Sequence, residues 1–181
     1  MSKHDSTIAT VAGKSLLTAC THTATVPVSK SSCPAELINL QSKTSSLALR
    51  ELDRVVHTLP WAASRTKARE HPGLDKLATV ELLGPNGVVE NRLIRIGLLY
   101  QPINVCYPKH RHAAEELYLV LSGTALWGQS KQAPMALQPG SFSHHASWEW
   151  HEMMTQQEPL LALYGWIGDL RFDQYEFMKP D

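Results

Sequence analysis

Cysteine is scarce. The chain of 181 residues has three, Cys20, Cys33 and Cys106, and they lie far apart. No CxxC pair exists, which excludes a zinc ribbon and a thioredoxin-type motif. An odd number of thiols without a disulfide framework suits a reducing compartment, and a cytoplasmic location is expected. Neither sign of charge is in excess, since Lys+Arg and Asp+Glu both number 17. Nucleic acid and anionic membrane both call for a basic face, so neither is expected as a partner. No apolar run approaches the ~20 residues of a membrane span.

What remains is an ordinary globular composition, 43% apolar, long enough for one domain with a sizeable core. Residues 1–32 are rich in Ser and Thr and read as a flexible tail. Leu17-Thr18-Ala19-Cys20 matches a lipid-attachment box, but Gly13, Lys14 and Ser15 break the apolar stretch that a signal peptide needs. Residues 33–76 read as a helical cap. Leu37, Leu40, Leu47, Leu52, Val55, Val56 and Leu59 recur at helical spacing before Pro60-Trp61, and His71-Pro72-Gly73 is a turn signal. From residue 77 to residue 181 the period changes to two. Leu77–Leu83, Val88–Leu99, Leu117–Trp127, Pro134–Leu137 and Leu160–Trp166 read as strands. Gly84-Pro85-Asn86-Gly87 reads as a hairpin turn between the first two, while Ser122-Gly123 and Pro139-Gly140 punctuate later ones. The expected fold is mainly β, an antiparallel sandwich or barrel.

The stretch Tyr107-Pro108-Lys109-His110-Arg111-His112-Ala113-Ala114-Glu115-Glu116-Leu117-Tyr118 carries the chemistry. Side chains alternate along a strand, so His110, His112, Glu116 and Tyr118 share one face and Glu115 takes the other. Two imidazoles and a carboxylate on one face suit a divalent transition metal. Val120 continues that face as barrel lining. A fourth ligand has to come from elsewhere, and the passage from Gly140 to His151 could return His151 to the same site. Either His144 or His145 could also face the cavity. His4, His22, His57 and His71 lack such a context and are expected at the surface.

In its ligands and closing glycine, His110-x-His112-x3-Glu116-x6-Gly123 resembles the first cupin motif. Pro139-Gly140 through His151 resembles the second. Asn104 stands where the first motif usually starts with glycine, and Ser147-Trp148-Glu149 replaces the usual Pro-rich turn. The resemblance implies a double-stranded β-barrel, a jelly roll, with one bound metal. Over roughly residues 34–170 the chain also resembles the cupin-type dimethylsulfoniopropionate lyases. The residues that carry this are Leu59-Pro60-Trp61, the Tyr107–Tyr118 run, and Glu158-Pro159-Leu160-x3-Tyr164-x-Trp166-x-Gly168-Asp169-Leu170.

That resemblance implies a metal shell of His110, His112, Glu116 and His151, with Tyr118 as base and Tyr107 as a second active-site tyrosine. The expected substrate is a small zwitterionic sulfonium carboxylate, cleaved to dimethyl sulfide and acrylate. The sulfonium needs aromatic faces, for which Trp127, Trp148, Trp150, Tyr164 and Trp166 are candidates; Trp148, Trp166 and Tyr164 form the expected substrate-binding set. His3Glu suits Zn, Fe, Mn, Ni or Co alike. The same four ligands would serve another small-molecule cupin enzyme, a dioxygenase or an isomerase. A homodimer is compatible with the family but no residue pattern specifies it.

Overall fold

The computed structural model describes residues 47–63, 71, 73–130 and 133–179. The expected tail over residues 1–32, the first part of the expected cap, Cys20 and Cys33 lie outside them. Cys106 is exposed and unbridged.

Among the described residues, twelve strands form two antiparallel-dominated sheets. One contains β1 (Ala62–Ala63), β2 (Ala78–Gly84), β4 (Ile94–Gln101), β11 (Leu160–Ile167), β6 (Glu115–Ser122) and β9 (Phe142–His145) in that order, with β3 (Val89–Glu90) beside β2. The other runs β12 (Tyr175–Phe177), β5 (Cys106–His112), β10 (His151–Thr155), β7 (Ala125–Gln129) and β8 (Met135–Leu137). Residues of both sheets meet in one core that includes Tyr118, Val120, Trp127, Met153, Leu160 and Trp166. This is the mainly β jelly roll expected from the sequence.

On the outer face of the larger sheet sits α1 (Leu47–Val55), followed by a 3-10 turn at Val56–Thr58. Val56 and Trp61 pack there against Val80, Leu98, Tyr100 and Leu161. The Trp61 indole N–H donates to the Val56 carbonyl at 2.7 Å, which ties the turn to the sheet. Val55, counted on the apolar stripe, is exposed, because the helix gives way to the 3-10 turn there.

The single strand expected over Val88–Leu99 is two. Asn91 breaks it by accepting hydrogen bonds on its side-chain oxygen from the Leu93 and Ile94 amides, at 2.8 and 3.0 Å, an Asx turn. The chain therefore returns antiparallel to β2 as β4, and the short β3 lies parallel to β2. Similarly, Leu117–Trp127 divides at Gly123, whose φ of +76° turns the chain from β6 into β7 in the other sheet. A side chain there would also collide with the Pro159 carbonyl, so glycine is required.

Candidate metal centre

Strand alternation places the central residues as the sequence predicts. Along β6, Glu116, Tyr118 and Val120 are buried and Glu115 faces away, where its carboxylate meets His144 Nε2 at 2.9 Å. His110 and His112 are buried on β5. These residues do not share one strand, however. β5 and β6 belong to opposite sheets, and the chain turns the corner at Ala113-Ala114. Parity survives because both inner faces look into the same core.

Tyr107 has the wrong parity for that face, yet it is buried with its ring stacked on His110, centroids 4.2 Å apart. The ladder between β5 and β10 explains this. His151 pairs with His110 and Met153 with Tyr107, so three steps on β5 face two on β10. The extra residue is a β-bulge around Pro108-Lys109, and a bulge re-aims a side chain. Proline, with no amide to donate, suits that place.

His110, His112 and His151 form a group whose donor atoms all lie within 4.8 Å of one another. Each imidazole is held alike: His110 Nδ1 lies 2.8 Å from the Pro108 carbonyl, His112 Nδ1 3.0 Å from Ala114's and His151 Nδ1 2.9 Å from Glu149's. A carbonyl only accepts, so each Nδ1 donates to it and the ring presents its Nε2 to the cluster. Backbone tethers of this kind orient metal-binding histidines. Glu116 Oε2 lies 3.0 Å from His112 Nε2 and 3.3 Å from His151 Nε2. Its Oε1 accepts from the Trp166 indole N–H at 2.6 Å. His110 Nε2 is buried and makes no hydrogen bond among the described residues. Three imidazole Nε2 atoms beside a carboxylate fit a divalent transition metal.

The electrostatics agree. Burial opposes the Glu116 charge, but the neighbouring His112 and His151 outweigh it and hold the carboxyl well below the usual range. Burial, then His151, keeps His110 neutral far below the ordinary histidine range. Tyr118 is pushed well above the usual phenol range, first by burial and then by the Glu116 charge.

Of the expected aromatic residues, Trp166 stacks on His112 with centroids 4.4 Å apart. Tyr164 pairs across the sheet with Tyr118 and sits inside the core, its ring 6.5 Å away. The structure does not bring Trp148 to the cluster. It is 40% exposed and faces Arg111, the outward residue between the two histidines of β5, at 5.7 Å. Trp150 also lies under Arg111, so both tryptophans of that loop serve the outer face.

Two residues near the cluster carried no clear sequence signal. His145 is completely buried and stacks on His151, centroids 4.1 Å apart. Its Nε2 accepts from the Trp127 indole at 3.1 Å. Parity alone left His144 and His145 as alternatives; the pairing of His145 with Glu116 across β6 and β9 decides between them. Tyr175 on β12 lies 4.9 Å from His112 and 5.5 Å from His110, centroid to centroid. Among the surface histidines, His57 is exposed, while His71 is half-buried and stacks on Phe177.

Comparison with known proteins bears on this arrangement. The family profile of dimethylsulfoniopropionate lyase matches residues 2–162. A curated relative, dimethylsulfoniopropionate lyase DddQ of Ruegeria pomeroyi, is 34% identical over 97 residues, which is 54% of this chain and 48% of that one. The match thus spans about half the relative's length. A solved structure of the DMSP lyases RdDddP and RnDddQII is similar at a TM-score of 0.64 and 28% identity, covering 74% of this chain and 71% of its own. The crystal structure of DddQ from Ruegeria pomeroyi DSS-3 superposes with a TM-score of 0.65 at 23% identity, over 96% of this chain and 97% of that one, and supports the fold. No helix among the described residues is long and apolar enough to cross a membrane.

Proposed function

The chain belongs to the dimethylsulfoniopropionate lyase family, and on that premise we propose that it is a carbon–sulfur lyase that cleaves dimethylsulfoniopropionate into dimethyl sulfide and acrylate. The carrying observation is the set of three histidines with Nδ1 tied to backbone carbonyls and donor atoms within 4.8 Å of one another, two of them with Nε2 beside Glu116, and with two buried tyrosines nearby.

His110, His112, His151 and Glu116 are the residues that would hold the metal. When bound, a Zn, Fe, Mn, Ni or Co ion supplies positive charge that offsets the substrate carboxylate and opposes the burial and the Glu116 charge that hold Tyr118 protonated. Tyr118 is the proposed base: with its own proton first released to solvent, the phenolate oxygen would take the proton from the carbon next to the carboxylate. That C–H pair becomes the new double bond, and the C–S bond breaks with its electrons on sulfur. The sulfonium leaves as neutral dimethyl sulfide, so no acid has to assist it. Tyr107, re-aimed by the bulge, orients the carboxylate. Trp166 and Tyr164 present aromatic faces to the cationic end.

The test is to load purified protein with each of the five metals in parallel and to quantify dimethyl sulfide by gas chromatography, acrylate by liquid chromatography and bound metal by mass spectrometry. Equal amounts of both products are expected, and a Glu116→Ala variant should lose metal and product together. Absence of product above that variant with every metal would refute the lyase. Oxygen consumption by the Fe(II) form would point instead to a dioxygenase.

A further inference from the structure

Three backbone carbonyls hold the three histidines, and they are not equally secured. Pro108 belongs to β5, and Ala114 is buried at the corner between β5 and β6. Glu149 instead lies outside both strands, in the loop of residues 146–150 that joins β9 to β10. This loop is also where the sequence departs from the second cupin motif, with Ser147-Trp148-Glu149 in place of the Pro-rich turn. Trp148 has a φ of +62°, a left-handed backbone that a bulky side chain rarely adopts. Such a conformation persists only where its surroundings hold it.

The restraints come from Glu149 and its neighbours. The half-buried Glu149 side chain reaches back over the turn. Its Oε2 accepts from the Ala146 amide at 2.9 Å, and its Oε1 accepts from the Ser130 hydroxyl at 3.0 Å. The Glu149 amide donates to the Ala146 carbonyl at 3.0 Å, and the Ser130 amide to the Trp150 carbonyl at 2.7 Å. Toward β5, the Trp148 amide donates to the His112 carbonyl at 2.8 Å and the Ser147 hydroxyl to the Ala113 carbonyl at 2.6 Å. The loop is thus tied to Ser130, beside β7, through Glu149 and to the β5 corner through Ser147 and Trp148. Between these ties the Glu149 carbonyl accepts from His151 Nδ1 at 2.9 Å. One residue closes the turn with its side chain and orients a histidine with its backbone.

We propose that Glu149 is a positioning residue for His151: its carboxylate fixes the loop so that its own carbonyl presents the His151 Nε2 to the cluster. This rests on the metal reading of the three histidines and not on the identity of the substrate. The contribution is one of geometry and not of charge, because the carboxylate oxygens are engaged by the Ala146 amide and the Ser130 hydroxyl.

Zinc affinity by chelator competition tests this, read beside the histidine ring N–H signals of the zinc-loaded protein in NMR. Glu149→Ala removes both carboxylate contacts and should weaken zinc binding about tenfold. It should also speed solvent exchange of the His151 Nδ1 proton, while those of His110 and His112 keep their rates. Glu149→Gln loses the charge but keeps an oxygen for the Ala146 amide and offers an NH2 to the Ser130 oxygen, so its affinity should return to within about threefold of wild type. Ser130→Ala, which removes one of the two contacts from the far side, should move both readouts in the same direction by a smaller factor. A Glu149→Ala protein within about twofold of wild type overturns the proposal. So does a Glu149→Gln protein as weak as Glu149→Ala, which would make the effect one of charge. Faster exchange of all three ring protons together also overturns it, because that marks a general loosening of the fold. A wild type that takes up no zinc overturns the metal reading and this proposal with it, whereas zinc uptake that ignores Glu149 overturns the proposal alone.

Discussion

Replacing Trp166 by Phe removes one hydrogen bond and leaves an aromatic ring to pack on His112. That hydrogen bond runs from the indole N–H to Glu116 Oε1 at 2.6 Å, between groups that are 2% and 1% exposed. A hydrogen bond to a charged group contributes about 1.5–3 kcal/mol. Because tenfold in affinity corresponds to about 1.4 kcal/mol, the variant should bind metal roughly 10–150-fold more weakly. The usual loss on removing a group that orients a metal ligand, roughly 10–100-fold, agrees with this. The assay is competition for Zn²⁺ against a chromophoric chelator at fixed pH, with thermal unfolding recorded alongside. Leu98→Ala is the control. Leu98 is fully buried on the outer face of β4, in the cluster with Val56 and Trp61 and away from the histidines. That variant should lose about 2–5 kcal/mol of stability while its metal affinity stays within about twofold of wild type. A Trp166→Phe protein with wild-type zinc affinity, or one no weaker than Leu98→Ala, refutes the view that Trp166 holds Glu116 in place for the metal.

Acid should destabilise the chelator-treated protein. His145 and His110 are held neutral in the fold, chiefly by burial and then by His151. Unfolding therefore takes up protons once the pH drops below the ordinary histidine value of 6.5. Stability from these groups is fully present above that pH and is lost as the pH falls from there toward their lower folded values, by about 1.4 kcal/mol per pH unit for each. Urea midpoints at a series of pH values from neutral down to mildly acidic check this, and a flat or rising series contradicts it. Gly123→Ala should cost more than about 2 kcal/mol, since it combines a left-handed backbone with a methyl group against the Pro159 carbonyl. Calorimetry reads the change, and an unaltered melting temperature would show that β6 and β7 can be joined in another way.

Much of the site was legible because it depends on short-range regularities. The period-two alternation placed Glu116, Tyr118 and Val120 inward and Glu115 outward, as β6 shows. The interval from Gly140 to His151 brought His151 back beside His110, to which it is paired in the ladder. Less was legible where one residue changes the register. Tyr107 has outward parity, and only the bulge opposite His151 and Met153 turns it in. Trp148 lies close to His151 in sequence, yet its loop carries it out to Arg111.

By itself the sequence determined which residues could bind a metal, because strand alternation and the choice of His and Glu are properties of the local chain. The tertiary structure decided how they meet. Pairing between strands distant in sequence puts His110 and His112 in one sheet and Glu116 in the other. It also selects His145 over His144 by setting it opposite Glu116, and it brings Tyr175 across from the C-terminal region to His112. Such pairings are set by which faces can be buried together, and no short window of sequence contains both partners.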